Sequence, residues 1–231
     1  MKPLRSIVLL FAAALLTLLI ATPTHSFAKQ TRNSVYRPEE IEWTWEVRPN
    51  HADPTLPNVA LVGDSITRNY FPEVQRQLAG IANVYLFASS ICVGDPRLEN
   101  QLAEFVRMEG VRFKVIHFNN GLHGWDYSED DYRKAFPAYL KAVRAMSPRA
   151  ALIWTSSTPM KSPPSGASNA RVETRNSIAL KFILPSHIVV DDQYMLMLKH
   201  QDLYQDGVHF NETGSNIQGK QAADLIRTLL K

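Results

Sequence analysis

Pro57-Asn58-Val59-Ala60-Leu61-Val62-Gly63-Asp64-Ser65-Ile66-Thr67-Arg68 changes pattern halfway along its length. Val59 to Val62 are four consecutive apolar residues, which read as a short buried strand. Gly63 and Asp64 break the run, and Tyr70, Val74 and Leu78 then follow at helical spacing. A strand that turns at once into a helix leaves Ser65 on the turn. Its hydroxyl is then exposed at the sheet edge, with the unpaired N–H groups of the first helical turn beside it. Nucleophile elbows use the same geometry, although their Gly-x-Ser-x-Gly pattern is absent. An ordinary turn with a helix N-cap would carry the same three residues, so the remainder of the chain has to decide.

Beyond this stretch, short apolar runs alternate with amphipathic segments. Asn83–Ala88, Phe113–Asn119, Ala150–Thr155 and Ile188–Val190 read as four further strands. Pro96 opens a helix at a first-turn position, with Leu98, Leu102 and Phe105 on one face and Gly110 at its end. Ser128, with Asp131 three residues on, caps another helix, striped by Tyr132, Phe136, Tyr139 and Val143. Helices follow from about Ala170 to Phe182 and from Thr213 onward. Five strands separated by helices predict an α/β domain with a parallel sheet covered on both faces. In such a sheet, ligands bind outside the carboxyl ends of the strands. Ser65, Gly94, the Asn119–His123 stretch, Ser156–Thr158, Asp206 and His209 all fall in loops at that edge.

A chain of 231 residues with 45% hydrophobic and 20% charged residues can bury a core as one domain with appendages. Its formal charge of +3 is small, and there is no basic run, which argues against a nucleic-acid partner. Lys2 and Arg5, an apolar run from Ile7 to Ala21, and Ser26-Phe27-Ala28 have the three parts of a secretory signal. Residues 1–28 are therefore expected to be a signal peptide cleaved after Ala28, giving a secreted or periplasmic protein. The alternative is an uncleaved anchor, but about fifteen apolar residues span only about 22 Å, against a hydrocarbon core of about 30 Å. Residues 29–57 read as an N-terminal arm lying over the domain formed by 58–231. Trp43 and Trp45 would share one face of the arm if it is extended. The one cysteine, Cys92, excludes an internal disulfide and reads as a buried structural thiol.

A second polar block, Asp206-Gly207-Val208-His209-Phe210-Asn211-Glu212-Thr213-Gly214, precedes the last helix. Ester hydrolysis by a serine requires a base for the hydroxyl proton and a carboxylate to orient that base. An Asp and a His three apart on one loop can supply both, although either could also be a plain turn or surface residue. No His, Cys, Asp or Glu cluster has metal-ligand spacing, and neither metal nor cofactor is expected. Asp191-Asp192 reads as a solvated strand end, and His117, in mid-strand, as an interior residue.

Taken together, Gly63-Asp64-Ser65-Ile66-Thr67 and Asp206-Gly207-Val208-His209 resemble the two terminal motif blocks of the SGNH (GDSL) hydrolase superfamily in sequence, order and position. The resemblance runs from about Pro57 to Lys231. It implies a three-layer α/β/α sandwich with a five-stranded parallel sheet of flavodoxin-like type. It also implies a Ser65–His209–Asp206 triad that hydrolyses acyl esters without a metal. The middle blocks match less well. Gly94 stands where the family has a glycine whose N–H helps bind the oxyanion. The third block, usually Gly-x-Asn-Asp, is here Gly121-Leu122-His123-Gly124, with His123 in place of the asparagine. Reading by chemistry instead selects Asn119 or Asn120 as the side-chain donor, so Gly94, Asn119 and His123 are the oxyanion candidates.

Export and the lack of a long hydrophobic lid favour a polar extracellular ester such as an acetylated saccharide. A short-chain lipid esterase or thioesterase and a non-catalytic carbohydrate-binding relative are the alternatives. The expected partner is a small-molecule or polysaccharide ester, with no membrane span left after signal cleavage.

Overall fold

The computed structural model of the chain describes residues 37–231. The expected signal peptide, 1–28, and the first part of the arm lie outside the described residues. Six strands and six α-helices follow in the order β1 (Thr44–Val47), β2 (Asn58–Gly63), α1 (Ser65–Gln77), β3 (Asn83–Ser89), α2 (Pro96–Glu109), β4 (Phe113–Phe118), α3 (Glu129–Met146), β5 (Ala151–Thr155), α4 (Asn169–Ile183), β6 (Val189–Asp191), α5 (Gln193–Met197) and α6 (Glu212–Leu230). They form one sheet of order β1-β3-β2-β4-β5-β6. Strands β2 to β6 pair in parallel, as the alternating pattern predicts.

The sixth strand corrects the expected five. β1 comes from the arm and pairs antiparallel with β3, Trp45 standing opposite Ala88. Thr44, Trp45 and Glu46 are exposed, so β1 lacks the apolar signature of a buried strand and its edge carries charge. The far end of the arm is tied down by Asn83, whose Oδ1 accepts from Asp53 N–H at 2.9 Å while its Nδ2 donates to Asp53 O at 2.8 Å.

Side-chain alternation along β2 divides the interior into two cores. Ala60 and Val62 join Phe87, Phe105, Phe136, Trp154 and Ile178 on the face covered by α2, α3 and α4. Val59 and Leu61 join Tyr70, Val74, Val115, Ile153 and Ala222 on the face covered by α1 and α6. Each strand residue thus meets a helix layer on its own side, and this is why the central strands read as unbroken apolar runs.

Helix ends follow local chemistry. Asp64, Asp95 and Ser128 cap α1, α2 and α3, and Asp131 completes a capping box with Ser128. Gly110 closes α2 in the left-handed conformation, φ 64°.

The strand end at Asp191-Asp192 is not solvated. Asp191 is fully buried and accepts from Gln193 Nε2 at 3.0 Å and Gln221 Nε2 at 2.6 Å, and it lies 2.8 Å from His117 Nε2. β4 supplies His117, α5 supplies Gln193 and α6 supplies Gln221, and these partners make burial of the carboxylate tolerable. Asp192 caps α5 through Met195 N–H. Among the described residues no helix is long and apolar enough to cross a membrane.

Candidate active site

β2 and β4 are neighbours, but the chain leaves β2 toward β3 on one side and returns to β4 on the other. Their carboxyl ends therefore flank the crevice at which the strand order reverses. Ser65 is the first residue of α1, directly after β2, and Asn119 directly follows β4. The turn between β2 and α1 is tight: a Cβ on Gly63 would lie 2.0 Å from Thr67 Oγ1. Asp64, buried and extended at φ −122°, turns its carboxylate back to accept from Ile66 N–H at 3.0 Å. This fixes the first turn of α1, so that Ser65 stands at the positive end of the helix dipole.

The loop before α6 brings Asp206 and His209 to the same place. His209 Nε2 lies 2.7 Å from Ser65 Oγ, across a separation of 144 residues, and His209 Nδ1 lies 2.9 Å from Asp206 Oδ2. The other carboxylate oxygen of Asp206 accepts from the N–H groups of Val208 at 2.8 Å and His209 at 2.7 Å. Burial works against the charge of Asp206, but these two N–H groups and the imidazole outweigh it and hold the carboxyl down at about 2. An ionised Asp206 makes Nδ1 the protonated nitrogen of a neutral His209, leaving Nε2 to accept the Ser65 hydroxyl proton. Such an arrangement is chemically able to generate a serine alkoxide in step with attack on a carbonyl.

Local packing sets this loop. Tyr204 and Phe210 stack at 4.4 Å and form a β-bridge around it. Gly207 O accepts from Lys161 and Ser162 N–H, and a Cβ on Gly207 would come within 2.6 Å of Ser162 O. Only glycine allows that approach.

Of the three oxyanion candidates, Gly94 lies at the end of the β3–α2 loop with φ 111°, a conformation that glycine adopts readily. Asn119 and Asn120 are turned inward. Asn119 Nδ2 donates to Thr155 O and, at 3.3 Å, to Ser157 Oγ. Asn120 pins the loop after β3, accepting from Val93 N–H at 3.0 Å and donating to Ile91 O at 2.8 Å. The partners of both amides come from distant loops, which the local sequence does not reveal.

His123 is held differently. Its Nδ1 lies 2.9 Å from a carboxylate oxygen of Glu39, which also accepts from Gly124 N–H at 2.9 Å. Burial opposes protonation of His123, but Glu39 and the nearby Asp64 carboxylate outweigh it and raise its pKa above the ordinary value. Trp43 stands edge-on to its ring, with centroids 5.8 Å apart.

Several residues that organise the site carried no sequence signal. Glu39 acts from the arm, more than eighty residues from its partners. Arg175, buried in α4, donates to the carbonyls of His123 at 2.7 Å, Gly124 at 2.9 Å and Tyr127 at 3.1 Å. Arg171 adds bonds to Trp125 O at 2.8 Å and Tyr127 O at 2.7 Å and pairs with Glu129 at 2.6 Å. Cys92 packs against this loop, and burial pushes its thiol up to about 12, so it is inert as a nucleophile at neutral pH. Among the described residues no group of three His, Cys, Asp or Glu could hold a metal ion.

Beside Asp206 and His209 lies an open hollow of about 560 Å³, walled also by Arg68, Asn69, Pro72, Gln205, Phe210, Glu212, Ser215 and Asn216. Most of these side chains are polar.

No family model and no curated protein matches the chain. Solved structures do. An acetyl esterase mutant with bound acetate superimposes with a TM-score of 0.61 at 18% identity, covering 76% of this chain and 98% of that one. A carbohydrate esterase family 3 protein from Talaromyces cellulolyticus gives 0.59 at 18% identity, with 76% and 98% covered. A member of the lipolytic protein G-D-S-L family from Veillonella parvula gives 0.59 at 18% identity, with 74% and 98% covered. At this identity the likeness is one of fold. By its strand order, its two helix layers and these superpositions, the chain has the SGNH (GDSL) hydrolase fold.

Proposed function

We propose that this protein is an exported serine esterase that removes acetyl groups from carbohydrate. The observation that carries the reading is the unbroken chain of contacts from Ser65 Oγ through His209 to Asp206, at 2.7 and 2.9 Å. In this reading Ser65 attacks the ester carbonyl while His209 takes its proton. His209 then returns the proton to the leaving alcohol, and the acyl-enzyme is hydrolysed by water activated through the same imidazole. Asp206 holds the imidazole tautomer and balances the imidazolium that forms. The N–H groups of Ser65 and Gly94, with the His123 side chain, stabilise the tetrahedral oxygen. Asn119 supports the loop instead, since its amide is engaged with Thr155 and Ser157.

Three features support an acetylated saccharide over a lipid. The hollow is open and lined mainly by polar side chains, which suits a hydrated sugar better than a long acyl chain. Structural neighbours include acetyl and acetyl xylan esterases. The leader-like sequence at 1–28 supports export. The discriminating experiment compares acetate release from acetylated xylan with turnover of a medium-chain ester. The proposal expects the acetylated saccharide to be the better substrate by kcat/KM. A clear preference for the medium-chain ester would overturn it.

A further inference from the structure

Arg68 lies one helical turn beyond Ser65 on α1, a spacing that puts side chains on one face with Cβ atoms about 5–6 Å apart. It forms part of the wall of the hollow that also holds His209 and Asp206. Its guanidinium carbon sits 5.4 Å from the Trp43 ring and 4.9 Å from the Trp45 ring. Its backbone N–H donates to Asp64 O within the helix, but among the described residues its guanidinium has no hydrogen-bond partner and no carboxylate within ion-pair distance. The other arginines around this edge of the sheet differ. Arg97 pairs with Glu42 and Asp95, Arg171 with Glu129, and Arg175 donates to four backbone carbonyls.

A half-buried guanidinium offers five N–H donors and no acceptor. The two indoles hold it in place by attraction to their faces, which leaves the in-plane N–H edge free to donate. Such an edge matches the two oxygens of a carboxylate or phosphate, and its restricted side chain loses little entropy on binding. Glu212 lies in the same hollow but makes no ion pair with Arg68, and Asp206 is engaged with His209. Trp45 lies in β1 and Trp43 directly precedes it, so the segment that adds a sixth strand to the expected five also positions this charge.

We propose that Arg68 is the specificity residue of the site, receiving an anionic group, carboxylate or phosphate, carried by the acylated saccharide next to the ester that Ser65 attacks. This deepens the esterase reading and rests on it for the placement of the ester. The anion contact itself can be read without any turnover.

The test uses the purified Ser65→Ala protein and calorimetric titration with three probes: a galacturonate trisaccharide, the neutral galactose trisaccharide, and galactose 6-phosphate. At low ionic strength the galacturonate or phosphate probe should bind at least about tenfold more tightly than the neutral one, the gain expected of a charge-assisted pair. High salt should erode the difference. Whichever anion binds more tightly identifies the source of the charge. Adding Arg68→Gln should abolish the preference, whereas Arg68→Lys, which keeps the charge but not the fork, should retain part of it. Equal binding of charged and neutral probes, or an unchanged preference in a folded Arg68→Gln variant, would overturn the proposal. In the wild-type protein, the ratio of kcat/KM for acetylated galacturonate over acetylated galactose should show the same dependence on Arg68. Absence of all ester turnover with an intact Arg68-dependent binding preference would sink the esterase reading and leave the anion site standing.

Discussion

Gly219 of α6 lies against the backbone of Tyr70 in α1: a Cβ at Gly219 would sit 2.8 Å from Tyr70 O and 2.7 Å from Glu73 Cβ. This contact sets the distance between the helix that begins with Ser65 and the helix that follows His209. The two catalytic candidates come from opposite ends of the chain, and their 2.7 Å approach depends on how closely α1 and α6 pack.

Gly219→Val is therefore expected to push α6 outward. Overpacking at such a contact costs about 1–3 kcal/mol, and Ser65 would separate from His209. The variant should lose kcat on an acetyl ester far more than its loss of thermal stability would explain. Thermal unfolding and steady-state kinetics on the same preparation check this.

Asp206→Asn removes the charge that orients His209 and favours the wrong tautomer. A loss in kcat on the order of 10³–10⁴-fold is expected, by analogy with other serine triads, with KM little changed. Because the Asp206 carboxyl is held at about 2, it stays ionised as pH falls through the ordinary carboxylate range. Its stabilising contribution is complete above the unfolded value of 3.8, declines as pH falls below it, and is gone once pH drops through the folded value of about 2. The wild-type pH–rate profile should therefore show no limb from Asp206 in the ordinary carboxylate range. A limb near pH 4 that disappears in Asp206→Asn would contradict the assignment.

Glu39→Gln tests how His123 is held. The folded-state pKa of His123 is raised, so its contribution is complete below the unfolded value and fades as pH rises through the folded one. Burial opposes ionisation of Glu39, but His123 and Gly124 N–H outweigh it and lower its pKa. Its contribution is complete above the unfolded value and fades at lower pH. The pair is thus strongest between about pH 4.5 and 6.5, the two unfolded values. The stability difference between wild type and Glu39→Gln, about 1 kcal/mol after solvent screening, should peak in that window and shrink above neutrality. Thermal melts across pH measure it.

Arg175→Met keeps the volume of the side chain but leaves the His123 and Gly124 carbonyls without this donor, while Tyr127 O keeps its bond from Arg171. A loss of about 3 kcal/mol or more is expected, with faster amide exchange confined first to the 121–127 loop. Hydrogen-exchange mass spectrometry locates the change.

What the sequence disclosed was whatever local pattern could encode. Val59–Val62, the Ser128–Asp131 capping box and Gly110 each announce their structure within a few residues, and the five parallel strands and their helices follow from such signals. Ser65, Asp206 and His209 stood out because two short motifs at opposite ends of an α/β pattern reinforce each other. The parts that stayed hidden depend on distant pairing. β1 reads as polar because it is the edge strand and its side chains face solvent. Asp191 looked solvated because nothing nearby in sequence reveals that His117, Gln193 and Gln221 converge on it. Asn119 and Asn120 looked available because the carbonyls that engage them lie about thirty residues away in sequence.

The most direct test of the central claim is covalent labelling of the purified protein with a fluorophosphonate, followed by peptide mass spectrometry. A serine activated by His209 should carry a single phosphonyl adduct on the peptide containing Ser65, and the reaction should be lost in His209→Ala. A folded wild-type protein that leaves Ser65 unmodified, or that reacts at another residue instead, would contradict the account.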